Sequence, residues 1–397
     1  MPGVVFQSGT RTFGTIPYTW AMPNRPTKKP DANGPMPPAA PGARIAILGV
    51  GQMGLVCAGV LANKLAGAEK PSRGAKAAAT PAPIRELVMW GHSADETGAL
   101  LQARRSDRLP HFVLPDAVRV TNDLKKALDG VELVVSAIPV QFTRDVWKKA
   151  RGKTPAAAGI ISVSKGIETE TMLRPTQLIA EALGDDPDAR PRPIGVLSGP
   201  TIASELARGL PATMIVASDF PEFSAKVQGL FACSYLRVYT NEDVIGVELA
   251  GALKNVIAIA AGILDGLHAG YNAKSALLAR GLAELTRLGT AMGANSETFF
   301  GLAGVGDLAT TCFSPEGRNR SLGEALGRGQ KLKDYLKSTP FVVEGVETSR
   351  AVIALGKKYR VEMPIMETVH AVLFEGLDPI DGIGRLMSRE QKAERVG

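Results

Sequence analysis

An apolar strand that opens directly into a glycine-rich turn limits the possible folds of this chain more than any other stretch. Arg44–Leu48 reads RIAIL and is followed by Gly49–Gly54 and by a helix predicted to end at Leu65. Glycines at the first, third and sixth positions of the turn allow a tight bend, close backbone approach to a pyrophosphate and close helix–strand packing. The N-terminus of the helix presents N–H groups to that anion. The cofactor contacts predicted here are Gly49, Gly51, Gln52, Met53 and Gly54.

Further apolar segments follow at spacings that suit a sheet with helical crossovers. They are nearly continuous in apolar residues, as in parallel strands buried on both faces. The predicted strands are Leu87–Trp90, Leu133–Ile138, Ile160–Val163, Ile194–Leu197 and Met214–Val216. After about Asn241 the sequence is rich in Ala, Leu and Gly and predicts long helices. The expected fold class is an α/β N-terminal Rossmann-type doubly wound parallel sheet followed by an all-α C-terminal domain.

The chain divides into three predicted regions. Residues 1–42 hold nine of the 27 prolines and show no apolar period, so we interpret them as a disordered or extended tail. Residues 43–241 form the predicted dinucleotide-binding Rossmann-type domain, with a surface insertion at about residues 66–83. Residues 242–390 form the predicted helical substrate-binding and catalytic domain.

The net charge of +7 does not indicate nucleic-acid binding. The excess of Lys and Arg lies in residues 1–42 and 64–85 rather than on one folded face, so we expect no nucleic-acid partner. The apolar run Val256–Leu264 is far shorter than a membrane span, so we expect no stable membrane insertion.

Cysteine and histidine usage points to a reducing compartment and away from metal chemistry. The three cysteines are widely separated, and none pairs with a histidine at metal-ligand spacing. No serine stands in a G-x-S-x-G motif. We therefore predict a cytoplasmic protein without a metal. A transit peptide is the weaker interpretation of residues 1–42, because prolines interrupt an amphipathic helix.

The end of the second predicted strand bears on cofactor choice. An acid there usually holds the ribose hydroxyls of NAD. Here Leu87–Trp90 is followed by Gly91–Ser93, and the nearest acid, Asp95, is predicted to lie in the next helix and point away. Because nothing repels a 2′-phosphate and His92 is able to donate to it, we expect NAD or NADP as cofactor, with NADPH used at least comparably to NADH.

Two groups of polar residues form a second candidate site. Lys165 and Thr201 follow predicted strands, and the carboxyl ends of such strands border the ligand crevice. In the helical half, Lys254 and Asn255 interrupt an apolar segment, and a partly desolvated lysine titrates near neutral pH. Further on, Asp307 stands in a glycine-rich turn. The Arg318–Arg320 segment then offers guanidinium groups that suit a phosphate. Taken singly, each of these is an ordinary polar residue.

In this order and spacing the motifs resemble the NAD(P)-dependent glycerol-3-phosphate dehydrogenases, particularly the bacterial type, over residues 43 to about 377. The segments that carry the resemblance are Ser164–Glu168, Ser198–Thr201, Gly246–Ala258, Arg280–Glu284, Gly304–Leu308, Arg318–Arg320 and Val342–Gly345. The resemblance implies reversible reduction of dihydroxyacetone phosphate to sn-glycerol 3-phosphate for phospholipid synthesis, by a homodimer acting on a small phosphorylated substrate.

The resemblance also implies roles for individual residues. Lys254 would be the proton donor and acceptor at the hydroxyl of substrate carbon 2, Lys165 would contact substrate and cofactor, and Asp307 would orient the reacting oxygen and its lysine. The predicted substrate contacts are Lys165, Gly199, Thr201, Lys254, Asn255, Asp307, Thr311, Gly317, Arg318 and Asn319. Besides the glycine turn, the predicted cofactor contacts are His92, Lys165, Ala203, Arg318, Val342 and Glu344.

Three positions depart from the family's usual pattern. Gly317 stands where the family commonly has Ser, which removes a hydroxyl from the phosphate site. Gln52 and Met53 replace the usual small polar and aromatic residues of the glycine turn. Two other functions remain open at this point. One is a β-hydroxyacid or 6-phosphogluconate-type dehydrogenase, and the other is a non-catalytic dinucleotide sensor that would not need Lys254.

Overall fold

An eight-stranded, mostly parallel sheet forms the first half of the protein, and helices form the second. The computed structural model describes residues 42–65, 84–186, 191–391 and 393. The predicted insertion at 66–83 and the predicted tail, apart from Gly42, lie outside the described residues. The strands are β1 Ala43–Leu48, β2 Ile84–Trp90, β3 Val118–Thr121, β4 Leu133–Ser136, β5 Gly159–Ser162, β6 Ile194–Ser198, β7 Ala212–Ser218 and β8 Leu236–Asn241.

Seven helices accompany the sheet among the described residues. They are α1 Gln52–Leu65, α2 Ala94–Ala103, α3 Leu124–Leu128, α4 Val140–Ala150, α5 Pro175–Leu183, α6 Ala203–Ala207 and α7 Pro221–Phe231. The helices that follow are α8 Val244–Gly266, α9 Gly270–Ala291, α10 Ser296–Phe300, α11 Asp307–Phe313, α12 Arg318–Gly327, α13 Leu332–Ser338, α14 Glu344–Tyr359, α15 Pro364–Phe374 and α16 Pro379–Met387. A π-helical turn, Leu302–Gly306, precedes α11. The predicted fold class is thus confirmed.

The strand order, β3-β2-β1-β4-β5-β6-β7-β8, places the glycine turn at a reversal point. From β1 the chain winds outward to β2 and β3, and then returns to place β4 on the other side of β1. The carboxyl ends of β1 and β4 therefore diverge into a crevice, where sheets of this type bind their ligands. Side chains alternate along β1, with Ile45 and Ile47 in one core and Ala46 and Leu48 in the other.

One part of the parallel-sheet prediction was wrong. β7 pairs antiparallel with β6, and β8 is parallel to β7, so the last two strands run against the other six. Between β6 and β7 the chain forms only the five-residue helix α6 instead of a crossover helix. The chain therefore re-enters the sheet at the end where β6 stops, and β7 runs in the opposite direction beside it.

Two strands, β3 and β8, were missed from the sequence. Both are edge strands, so each has a neighbouring strand on one side only. In β8, Leu236 and Val238 are buried while Arg237 and Tyr239 are exposed. This alternation lacks the continuous apolar run by which the other strands were recognised.

Helix α8 is the centre of the helical half. It is long and apolar enough to cross a membrane, but 94% of its apolar window is buried inside the protein, as in a core helix. Glycines bring α12 unusually close to α8: a Cβ at Gly323 would lie 2.0 Å from the Ile259 carbonyl oxygen, and one at Gly262 would lie 2.0 Å from that of Arg320. α12 is therefore held backbone to backbone against α8.

Candidate active site

The glycine turn has the geometry that a dinucleotide needs. Gly49 has a φ of +117°, and a Cβ there would lie 2.4 Å from the Ala137 carbonyl oxygen. A Cβ at Gly54 would lie 2.1 Å from the Gly49 carbonyl oxygen, so α1 packs tightly on the turn. A Cβ at Gly51 would meet no atom within 4 Å, and Gly51 lines a cleft. The residues present therefore fit a pyrophosphate beside the N-terminus of α1.

That cleft, of about 570 Å³, runs from the glycine turn to α8 and α12, and it gathers most of the predicted site residues. The predicted residues that line it are Gly49, Gly51, Gln52, Met53, His92, Lys165, Thr201, Ala203, Lys254, Asn255, Thr311, Gly317, Arg318, Asn319, Val342 and Glu344. The other three, Gly54, Gly199 and Asp307, are buried and are not part of the lining.

A carboxylate shared by two lysines lies at one wall of the cleft. Lys254 Nζ, on α8, donates to Asp307 Oδ1 at 2.5 Å. Lys165 Nζ, from the loop after β5, donates to Asp307 Oδ2 at 2.7 Å and to the Gly199 carbonyl oxygen at 2.9 Å. Lys254 also donates to Thr311 Oγ1, one turn after Asp307. The sheet and the helical half therefore meet at this triad of Lys165, Lys254 and Asp307.

Burial makes Lys254 a group that titrates near neutral pH. The pKa of Lys254 is lowered from 10.5 to about 8: desolvation is the main cause, Asp307 opposes it, and the charge of Lys165 adds to the lowering. Only 6% of the Lys254 side chain is exposed, yet Lys254 lines the cleft. A lysine with these properties is suited to exchanging a proton with a bound ligand.

The π-helical turn places Asp307. The Gly306 N–H donates to the Gly301 carbonyl oxygen at 3.2 Å, five residues back, and α11 begins directly afterwards. A Cβ at Gly304 would lie 1.9 Å from the Phe299 carbonyl oxygen, so this turn needs glycine. Single π turns are often found at functional sites. The sequence predicted a glycine-rich turn here but not its π geometry.

The start of α12 lies at the α8 end of the cleft, away from the glycine turn. Asn319 Oδ1 accepts from the Gly345 N–H at 2.9 Å, which leaves the amide Nδ2 as the donor side. Arg318 Nη1 donates to the Val342 carbonyl oxygen at 3.0 Å. Gly317 is the residue before the helix and offers no side-chain cap. Arg318 and Asn319 therefore form a donor pair suited to a phosphate.

Glu344, at the start of α14, is an acidic residue at the same end of the cleft as Arg318. Burial raises the pKa of its carboxyl, and the charges of Arg318, Lys165 and Lys254 oppose that rise. Glu344 and Val342, both of them predicted cofactor contacts, line the cleft.

Arg108, Glu96 and Phe142 are cleft residues that were not predicted from the sequence. Arg108 Nε pairs with Glu96 Oε1 at 2.6 Å, and the Gln52 amide donates to the Arg108 carbonyl oxygen at 2.8 Å. Phe142, in the first turn of α4, lines the cleft with 55% of its surface exposed. Asp95 is exposed and outside the cleft lining, as expected, but the next residue, Glu96, faces the cleft. Arg108 lies in a loop with no periodic signal, so only an arginine's suitability for phosphate could have suggested it.

Family models and individual relatives indicate the same protein family for this chain. The family model described as NAD-dependent glycerol-3-phosphate dehydrogenase N-terminus matches residues 44–224, and the corresponding C-terminus model matches residues 243–383. A protein of Pelotomaculum thermopropionicum named glycerol-3-phosphate dehydrogenase (NAD(P)+) is 46% identical over 310 residues, which cover 78% of this chain and 88% of that protein. A Bacillus pumilus protein of the same name is 42% identical over 352 residues, covering 88% and 96%.

A solved structure agrees. The crystal structure of glycerol-3-phosphate dehydrogenase from Coxiella burnetii is 34% identical, with a TM-score of 0.79, and the match covers 88% of this chain and 99% of that one. A ketopantoate reductase from Ralstonia eutropha, 14% identical with a TM-score of 0.51, shares the fold alone.

Proposed function

This chain belongs to the NAD-dependent glycerol-3-phosphate dehydrogenase family, and we propose that Lys254 is the proton donor and acceptor of its reaction. The reaction is the reversible reduction of dihydroxyacetone phosphate to glycerol 3-phosphate with NAD or NADP. The observation that carries the proposal is the contact of Lys254 with Asp307 in the wall of the cleft.

The cofactor would be held by the glycine turn, with Ala203, Arg318, Val342 and Glu344 along the cleft. When bound, the nicotinamide supplies the hydride that reduces carbon 2 of the ketone. The chain itself has to position the ketone, exclude water and provide a proton for the oxygen on that carbon.

Lys254 is the group best suited to provide that proton. Its pKa of about 8 means that it is largely protonated at neutral pH and gives up its proton more readily than an ordinary lysine. Asp307 orients the ammonium, and Thr311 Oγ1 accepts from it as well. In the reverse direction the neutral amine would take the proton from the hydroxyl of glycerol 3-phosphate.

Lys165 and Thr201 are proposed to hold the substrate on the sheet side. Lys165 Nζ donates to Thr201 Oγ1 at 3.5 Å, and the Thr201 hydroxyl donates to the Gly199 carbonyl oxygen at 3.1 Å, so the ammonium and the hydroxyl lie side by side where a substrate oxygen would contact both. Asn255 Nδ2 donates to the Lys165 carbonyl oxygen at 3.2 Å, which links this loop to the turn of α8 that carries Lys254. Gly199 contributes its carbonyl oxygen, which accepts from Lys165.

Arg318 and Asn319 are proposed to bind the substrate phosphate. A guanidinium and an amide donor at one end of the cleft would fix the substrate, with Lys254 acting at the ketone. Gly317 supplies no hydroxyl, so the phosphate would depend on these two side chains more than in family members that have Ser at this position.

The proposal is tested by measuring the oxidation of NADH and NADPH in parallel with a panel of ketones. We expect turnover with dihydroxyacetone phosphate, and little with β-ketoacids. Glycerol 3-phosphate but not 6-phosphogluconate should be oxidised in reverse. Turnover only with a β-hydroxyacid or 6-phosphogluconate would overturn the substrate assignment. Cofactor binding without turnover would favour the dinucleotide sensor, for which the Lys254–Asp307 contact has no use.

The cellular setting is a further part of the proposal. We propose that the enzyme acts as a homodimer in the cytoplasm and supplies glycerol phosphate for phospholipid synthesis. What supports this setting is the reaction, which the bacterial relatives named above share by name and whose product is glycerol phosphate. We also propose a domain boundary near residue 241, which lies between the two segments that the family models match.

A further inference from the structure

The cleft contains an ion pair that the proposed reaction leaves without a role. Arg108 Nε lies 2.6 Å from Glu96 Oε1, and their side chains are 40% and 33% exposed, so both are accessible from the cleft. The pair stands beside the glycine turn, since the Gln52 amide donates to the Arg108 carbonyl oxygen, and Trp90 and His92 line the same cleft.

The position of the pair in the fold identifies the part of the cofactor that it faces. Glu96 lies in the first turn of α2, three residues after the loop that follows β2. In sheets of this type the carboxyl end of the second strand meets the adenosine ribose. There an acid binds the 2′-hydroxyl of NAD, or a nearby arginine accommodates the 2′-phosphate of NADP. This chain has both groups, and in the structure they form an ion pair with each other.

We propose that the Arg108–Glu96 pair selects the cofactor: Arg108 leaves Glu96 to bind a 2′-phosphate, and Glu96 accepts the ribose hydroxyl when that phosphate is absent. This inference rests on the proposed function, because it concerns the cofactor of that reaction. It adds to His92 a second and stronger donor, since a guanidinium grips a phosphate with two parallel N–H bonds.

The main chain at Arg108 is held independently of its side chain. The Gln52 amide donates to the Arg108 carbonyl oxygen at 2.8 Å, and the next residue, Leu109, is buried in the core beside the sheet. The guanidinium is thus free to change partners while the loop stays in place. Truncation of the side chain should leave the loop anchored to α1.

Charge explains why the pair can serve both cofactors. Paired, the two groups carry no net charge and neither repel a 2′-phosphate nor strongly attract it. A 2′-phosphate carries more negative charge than one carboxylate, so it competes with Glu96 for Arg108. Removal of Arg108 would delete the donor and also leave the Glu96 carboxylate facing the phosphate.

The test is isothermal titration of the whole protein with 2′,5′-ADP and with 5′-AMP, which differ only in the 2′-phosphate. We expect Arg108→Ala to weaken the affinity for 2′,5′-ADP about tenfold or more, and to change the affinity for 5′-AMP by less than about twofold. Glu96→Gln should tighten 2′,5′-ADP severalfold, because Arg108 then has no anionic competitor. The matched control is Arg105→Ala, since Arg105 is exposed and outside the cleft lining, and it should change neither affinity.

Three results would overturn the inference. Arg108→Ala could leave the affinity for 2′,5′-ADP unchanged, it could weaken both ligands equally, or Glu96→Gln could weaken 2′,5′-ADP. Binding of these adenosine phosphates needs no turnover, so the result does not depend on the ketone. Failure of wild-type protein to reduce dihydroxyacetone phosphate would count against the proposed function alone.

Discussion

Lys254 Nζ lies 2.5 Å from Asp307 Oδ1, although Lys254, on α8, and Asp307, directly after the π-helical turn, are 53 residues apart along the chain. The other oxygen of the same carboxylate accepts from Lys165 at 2.7 Å. Two ammonium groups thus share one carboxylate, which leaves a net positive charge beside the cleft. That charge suits an oxygen that becomes negative as a ketone is reduced.

This arrangement predicts opposite pH limbs for the two directions of the reaction. Lys254 has a pKa lowered to about 8, mainly by burial, and ketone reduction needs it protonated. The kcat/KM for reduction should therefore fall as pH rises through about 8, and that for oxidation should fall as pH drops through it. Steady-state profiles in both directions measure this.

The variant Asp307→Asn sharpens the pH test. Asp307 is the partner that raises the pKa of Lys254, so its loss should move the descending limb of the reduction profile to lower pH. A limb that stays in place, or moves to higher pH, would show that another group sets the profile.

Arg318→Ala should raise the KM for dihydroxyacetone phosphate by about tenfold to a hundredfold, because a charge-assisted contact to the phosphate is lost. The KM for the nicotinamide cofactor should change much less. Kinetics with unphosphorylated dihydroxyacetone provide the internal control, since that ketone has no phosphate to lose. Arg328→Ala is the matched variant: Arg328 follows the same helix, its side chain is 62% exposed, and it pairs with Glu324. An unchanged substrate KM in Arg318→Ala would place the phosphate elsewhere.

Gly323→Ala should destabilise the protein, because the new Cβ would lie 2.0 Å from the Ile259 carbonyl oxygen and force α12 away from α8. We expect a loss of about 3 kcal/mol in the free energy of unfolding, measured by urea denaturation. The KM for dihydroxyacetone phosphate should rise too, since α12 carries Arg318 and Asn319.

The control for that helix contact is Gly98→Ala in α2. A Cβ at Gly98 would meet no atom within 4 Å, so this change should be neutral or stabilise by up to about 1 kcal/mol. Equal effects of the two substitutions would mean that α8 and α12 do not need their close approach.

Much of the site was predictable because the carboxyl ends of parallel strands all lie at the same end of the sheet. Lys165 and Thr201 follow β5 and β6, and Gly49 follows β1, so strand recognition alone brought these residues to a common crevice. Lys254 was recognisable as a charge within a segment otherwise apolar enough to be buried.

Other features depend on contacts that no local pattern encodes. The reversal of β7 follows from a short connection rather than from its own residues, which read like those of any buried strand. Arg108 reaches the cleft from a loop that Gln52 and the buried Leu109 anchor, and both anchors are tertiary contacts. The sharing of Asp307 by two lysines likewise needs the sheet and the helical half to be docked.

The most direct test of the role of Lys254 is Lys254→Met, with turnover of dihydroxyacetone phosphate and cofactor affinity measured on the same preparation. We predict a fall in turnover on the order of 10²–10⁴-fold, while the Kd for NADH and NADPH stays nearly unchanged because the glycine turn is untouched. Lys274→Met is the matched control. It removes another buried ammonium, but its partner Asp265 keeps Arg320, so turnover should be retained. Turnover of Lys254→Met within a few-fold of wild type would contradict the assignment of Lys254 as the proton donor.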